Sequence, residues 1–106
     1  MQEEGLTINR ESGDRFRIAN SLEAIASITF TVGRTARAAR VWGHAERLRE
    51  EIGVPLPAVE LPGYNRRIAA ARVGFGDDAT FDLAWREGRE MTMEAAIHYA
   101  LDTASE

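Results

Sequence analysis

Apolar positions along this chain recur at steps of three and four, and glycines and prolines divide the recurring pattern into helical segments. The first runs from about Asp14 to Val32. Ile18, Leu22, Ile25, Ile28 and Val32 fall on one side of it, and Ala19, Ala26 and Phe30 widen the apolar arc enough for two neighbours. Asp14 suits an N-cap and Gly33 a C-terminal stop. The β-branched run from Ile28 to Val32 could read as a strand, but helical continuity from Ile18 outweighs it. In the second helix, about Thr35 to Ile52, the stripe is Ala38, Val41, Ala45, Leu48 and Ile52, flanked by Trp42. Thr35 is its expected cap, and Gly53 followed by Pro55 ends it. Gly43 inside this helix costs about 1 kcal/mol relative to alanine, so either a close approach by another helix or simple tolerance accounts for it.

Pro55 and Pro57 make a stiff connector. The third helix starts near Pro62, presents Tyr64, Ile68, Ala71 and Phe75, and closes at Gly76. Asp77 and Asp78 can cap a short fourth helix carrying Phe81, Ala84 and Trp85 and ending near Gly88. Thr92 caps a fifth, with Met93, Ile97, Ala100 and Ala104 inward. Ahead of Asp14, Leu6 to Glu11 reads as the end of a helix whose beginning is missing. The expected fold is all-α, a helical-hairpin array of about five helices forming a single helical-repeat domain over residues 1–106. Residues 1–13 are a partial helix or flexible lead, 14–53 a repeat hairpin and 62–104 a three-helix cap. Two long helices joined by a tight turn are the unit of helical solenoids.

The chain has 106 residues, enough for one core without staples, and it has none to use: the absence of cysteine excludes disulfide scaffolds, thiolate metal sites and thiol catalysis. All thirteen basic residues are arginine, against seventeen acids, for a net charge of -4. That balance lacks the basic footprint of a general nucleic-acid binder, and direct nucleic-acid binding is not expected. No apolar run is long enough to span a membrane. The first twenty residues, with Glu3, Glu4 and Glu11, do not resemble a signal peptide, which gives a cytoplasmic expectation.

Candidate chemistry is sparse. His44 and His98 are some distance apart and neither has a second ligand in a recognised metal spacing. His44 stands between Arg40 and Arg47 and reads as solvated or capping, while His98 has Asp102 at i+4 as a potential orienting carboxylate. Asp77-Asp78 suits capping better than catalysis, because adjacent helical residues diverge. No serine has a nucleophile setting, and Gly74-Phe75-Gly76 lacks the features of a phosphate loop. No enzymatic activity, cofactor or metal is expected. Arg37, Arg40 and Arg47 cluster by helical angle, but Glu51 falls among them, and two helices of about eighteen residues are too long for a helix-turn-helix. The polar side of the first helix, with Phe16, Arg17, Asn20, Ser27 and Thr31, is the candidate partner-binding face.

The stretch Ala38-Ala39-Arg40-Val41-Trp42-Gly43-His44-Ala45-Glu46-Arg47-Leu48-Arg49-Glu50-Glu51-Ile52-Gly53-Val54-Pro55-Leu56-Pro57 resembles the tetratricopeptide-like C-terminal region of bacterial LuxR- and SARP-type ATPase transcriptional regulators. The Tyr64 helix, Phe81 to Arg89, Met91-Thr92 and Glu94 to Leu101 continue the likeness, and Gly13 to Ala26 is similar to a preceding repeat helix. The resemblance covers about residues 13 to 102. It implies a helical-repeat tail used for protein–protein contact or signal sensing. The ATPase itself is not implied, since the chain has no lysine and hence no Walker lysine. The expectation is a non-catalytic protein–protein interaction module, regulatory in a transcription-related context, acting as a freestanding adaptor or a piece of a larger regulator. About three repeats are needed for a stable stacked core, so a homodimer is expected to cover the open N-terminal end. The alternative is a small-ligand sensing domain with a pocket between the Trp42, Tyr64 and Trp85 helices.

Overall fold

A computed structural model describes the backbone of residues 2–102 and the side chains of residues 14–102. The described residues form five helices and no strand: α1 Gln2–Thr31, α2 Thr35–Ile52, α3 Leu61–Phe75, α4 Asp78–Glu90 and α5 Met93–Leu101. The all-α array expected from the hydrophobic periodicity is therefore present.

α2 is the centre of the molecule. It packs along its length on α1 and, on another side, on α4, while α5 and α3 lie against it more lightly. Of its expected stripe, Ala38, Val41, Ala45 and Leu48 are buried and Ile52 is half-buried; Ala39, Trp42, Gly43 and His44 are buried too, which leaves the helix covered nearly all round. Ala19 and Ala26 of α1 share this core with the alanines of α2. Small side chains on both helices permit a close approach. Aromatic pairs complete the interior: Phe30 lies 6.1 Å from Trp42, Phe81 meets Phe75 edge-on at 6.1 Å, and Trp85 is 5.9 Å from Phe81.

Helix ends follow the chain's local chemistry. Gly53 takes φ 70° and its N–H reaches the carbonyls of Arg49 and Glu50, a left-handed cap that a side chain would strain. The Asp77 carboxylate accepts from the Ala79 N–H at 3.2 Å, and the Thr92 hydroxyl accepts from the Ala95 N–H at 3.1 Å, so both expected caps form. Hydrogen bonds from the Thr80 hydroxyl and then the Ala79 N–H hold the Asp77 carboxyl below its usual range. Thr35 does not cap α2: it is the first helical residue, and Arg34 occupies the cap position without a side-chain bond.

Three expectations are corrected. α1 does not begin at Asp14 but runs unbroken from Gln2, so the short helical remnant and the main helix are one element. A single interior Gly13 costs only about 1 kcal/mol, too little to stop a helix, and Asp14 pairs with Arg17 at 3.1 Å instead of capping. The buried stripe of α1 is also rotated. Ala19, Leu22, Ala26 and Thr29 are buried, whereas Ile28 and Val32 are 65% and 63% exposed. Thr29 can be interior because its hydroxyl donates to the Ile25 carbonyl at 2.7 Å.

Gly88 does not terminate α4, which continues to Glu90. A Cβ on Gly88 would lie 1.8 Å from the carbonyl oxygen of Arg40, and a Cβ on Gly43 would lie 2.2 Å from that of Trp85. The two glycines are reciprocal: each lets the backbone of the other helix into the space a side chain would fill. Close approach, not tolerance, explains Gly43.

Candidate partner-binding groove

The stiff Val54–Pro57 connector carries the chain away from α2, and α3 returns without packing extensively on α1. A cavity of about 580 Å³ opens between α1 and the start of α3. Asn20, Glu23, Ala24 and Ser27 form one wall, Trp42 of α2 contributes to its lining, and Leu56, Val59, Tyr64, Arg66 and Arg67 form the other. Val59 is 85% exposed, an apolar side chain on the rim. Burial, and then the charges of Glu46 and Glu23, push the Tyr64 hydroxyl above the ordinary tyrosine range, so it is a neutral donor at physiological pH.

Arg49 fixes the α1 wall. It is 5% exposed, and it grips Glu23 with two bonds, Nε to Oε2 at 2.6 Å and Nη2 to Oε1 at 2.9 Å. Nη2 also donates to Asn20 Oδ1 at 2.7 Å and Nη1 to the Val54 carbonyl at 3.2 Å. The Phe16 ring lies 5.5 Å from the guanidinium. The bonds to Glu23 above all raise the guanidinium pKa further. One buried cation thus joins α1, α2 and the connector.

The five sequence-derived candidates divide on this geometry. Asn20 and Ser27 line the groove; Phe16 and Asn20 converge on Arg49; Arg17 is exposed and paired with Asp14. Thr31 is exposed and its hydroxyl donates to the Ser27 carbonyl at 2.9 Å. Sequence reasoning missed the opposite wall. Its available signal was Leu56, set between Pro55 and Pro57, and Val59 just beyond, apolar residues that belong to no helical stripe.

The arginines of α2 bond to groups of the same chain. Arg40 pairs with Glu87 at 2.9 Å and donates to the Tyr99 hydroxyl at 2.9 Å. Arg37 donates to the Tyr99 carbonyl and stacks 4.2 Å from its ring, and Arg47 pairs with Glu51 and donates to the Arg89 carbonyl. On α4, Arg89 bonds Glu46 at 2.8 Å and Glu50 at 2.7 Å, and holds the Glu50 carboxyl low.

A second cavity of about 470 Å³ lies between α2, α3 and α4, lined by Glu46, Tyr64, Ile68, Arg72, Asp82 and Trp85. Four of its polar groups pair with one another: Trp85 Nε1 donates to Glu46 at 2.8 Å and Arg72 pairs with Asp82 at 2.9 Å. Tyr64 separates the two hollows, and neither holds Trp42, Tyr64 and Trp85 together. His98 is exposed on α5, and among the described residues no hydrogen bond joins it to Asp102. His44 is not solvated: it is 2% exposed, with Nδ1 3.0 Å from the Gly88 carbonyl. Among the described residues no group of three metal-ligating His, Cys, Asp or Glu side chains assembles. No described helix is long and apolar enough to cross a membrane.

No family model matches the chain, and no solved structure matches it. Over 81 residues, 76% of this chain, it is 31% identical to proteins of Mycobacterium bovis and of two Mycobacterium tuberculosis strains named as HTH-type transcriptional regulators. The match covers 9% of each relative, so the chain spans only a small fraction of their length. The chain is thus weakly homologous to transcriptional regulators, and its all-helical fold is compatible with a segment of one.

Proposed function

We propose that this chain is a non-catalytic, tetratricopeptide-like protein–protein interaction module that works in a regulatory, transcription-related setting. The groove between α1 and α3 carries the reading. It is preformed, is lined by Trp42 and Tyr64 with exposed Val59 on its rim, and has its α1 wall fixed by the Arg49 cluster. Internal use of Arg37, Arg40, Arg47 and Arg49 supports a protein partner over nucleic acid, since these guanidiniums are committed to carboxylates, carbonyls and rings of the same chain. The ligand-sensing alternative rests on the Tyr64–Trp85 hollow, whose volume suits a small molecule. Pairing of Glu46 with Trp85 and of Arg72 with Asp82 leaves those groups less available to a ligand, which favours the interaction module.

The test is capture of partners from extract of the native host with the wild-type chain and with Ala24→Arg. Ala24 is exposed on α1 and lines the groove, so arginine there fills it without disturbing the core. A protein retained by the wild type and lost from the variant, with unchanged circular dichroism, supports the proposal. Equal capture by both chains refutes the groove as the docking site.

A further inference from the structure

The most deeply buried titratable group among the described residues has no part in the groove. His44 sits on α2 beside the crossing with α4, and a carbonyl can only accept, so its bond to Gly88 puts the hydrogen on Nδ1. Nε2 is then a bare lone pair, and it is buried without a hydrogen-bond partner. A proton added there would place both a charge and an unmatched N–H donor inside the molecule.

The surroundings offer that charge little. A cavity of about 430 Å³ beside the ring is lined by Arg15 of α1, Arg47, Leu48 and Glu51 of α2, and Met91, Thr92 and Met93 between α4 and α5. Arg15 and Arg47 are cationic. Among the described residues Glu51 is the one anion lining it, and it is tied to Arg47 at 2.9 Å. α4 presents the Gly88 carbonyl, already used, and the cavity-facing residues of α5 are uncharged. Burial above all pushes the His44 pKa below its usual value; the bond to Gly88 opposes it in part, and the Arg47 charge adds to the lowering more than Glu51 offsets.

The α4–α5 junction is the part poised to yield. α5 has nine residues, too few to be stable by itself; Arg37 and Arg40 on Tyr99 and the burial of Ala100 hold it to the core, while Arg47 bonds the Arg89 and Met91 carbonyls beside His44. We propose that His44 is a proton-operated latch: a charge placed on its ring releases the last turn of α4 and α5 from α2, while the α1–α2 pairing stays formed. The sign follows from linkage. The opened state takes up its proton near the ordinary histidine value of about 6.5, the closed state only at lower pH. Closure is therefore favoured above about pH 6.5 and lost as pH falls below it, by up to about 30-fold at pH 5.

Amide hydrogen exchange of the full chain at pH 7.5 and pH 5, corrected for intrinsic rates, tests the latch. Protection across residues 88–101 should fall up to about 30-fold further than across residues 38–48. His44→Asn, which keeps a donor for Gly88 but does not titrate, should abolish the excess loss, whereas His98→Gln should leave it. Equal losses in both segments, or an excess that survives His44→Asn, overturn the proposal. Should His44→Asn fail to fold, an NMR titration of the wild-type rings decides. Protonation of His44 that coincides with junction opening supports the latch, and protonation with the junction still protected refutes it.

Discussion

Replacing Gly88 with alanine measures the α2–α4 crossing directly. The added Cβ would sit 1.8 Å from the Arg40 carbonyl oxygen and 2.5 Å from its carbon, whereas ordinary contact begins at 3.4 Å. The obstacle is backbone, so no rotamer change relieves it, and the helices must part by roughly 1.6 Å. Overpacking against backbone this close falls at or above the top of its usual range, about 3–4 kcal/mol at Gly88 and about 2–3 kcal/mol at Gly43, offset by about 1 kcal/mol of helix propensity recovered from glycine. The expected net loss is about 2–3 kcal/mol for Gly88→Ala and about 1–2 kcal/mol for Gly43→Ala, where the approach is 2.2 Å. Gly74 supplies the internal control: it is inside α3, and a methyl group added there meets nothing within 4 Å, so Gly74→Ala should stabilise by about 0.5–1 kcal/mol. Urea unfolding followed by circular dichroism reads all three. In thermal melts Gly88→Ala should lie about 10–20 °C below the wild type and Gly74→Ala a few degrees above it. If Gly88→Ala matches the wild type or gains stability as Gly74→Ala does, the helices do not cross through these glycines.

The remaining predictions concern the Arg49 cluster and self-association. Glu23→Ala leaves a nearly buried guanidinium without its bidentate partner and should cost about 2–4 kcal/mol by urea unfolding, while Glu23→Leu with Arg49→Met should recover most of that loss. A cost below about 0.5 kcal/mol for Glu23→Ala would show the pair to be solvated. A homodimer, for which exposed Ile28 and Val32 on α1 offer apolar surface, predicts twice the chain mass in light scattering at micromolar concentration. A stable monomer there would refute it.

Much of the architecture is legible in local signals. The stripes of α2, α3 and α4, the left-handed glycines after α1, α2 and α3, and the caps at Asp77 and Thr92 each depend on residues a few positions apart. Misreadings arise where distant segments decide. Ile28 and Val32 have the greater hydropathy, yet α1 turns Ala26 and Thr29 inward, alongside the alanines of α2 in the core. Gly88 has the sequence look of a helix stop because its partner, the Arg40 backbone, lies far away along the chain. His44 suffers the same way: its arginine neighbours suggest solvent, but the last turn of α4 closes over it. The groove was half visible, since Asn20 and Ser27 are on the named polar face while the opposite wall exists only once the connector folds back.

α2 and α3 place very different demands on their own residues. α2 is enclosed on several sides, so nearly every position answers to a neighbour, whereas Ala71 is the one fully buried residue of α3. That asymmetry makes α3 the variable wall of a fixed scaffold. Residues such as Arg66 and Arg67, with Val59 just ahead of α3, can be exchanged to redraw the proposed docking groove, with the Arg49 cluster and the glycine crossing left intact. The surface on one side of this molecule can therefore change, by evolution or engineering, without renegotiating its fold.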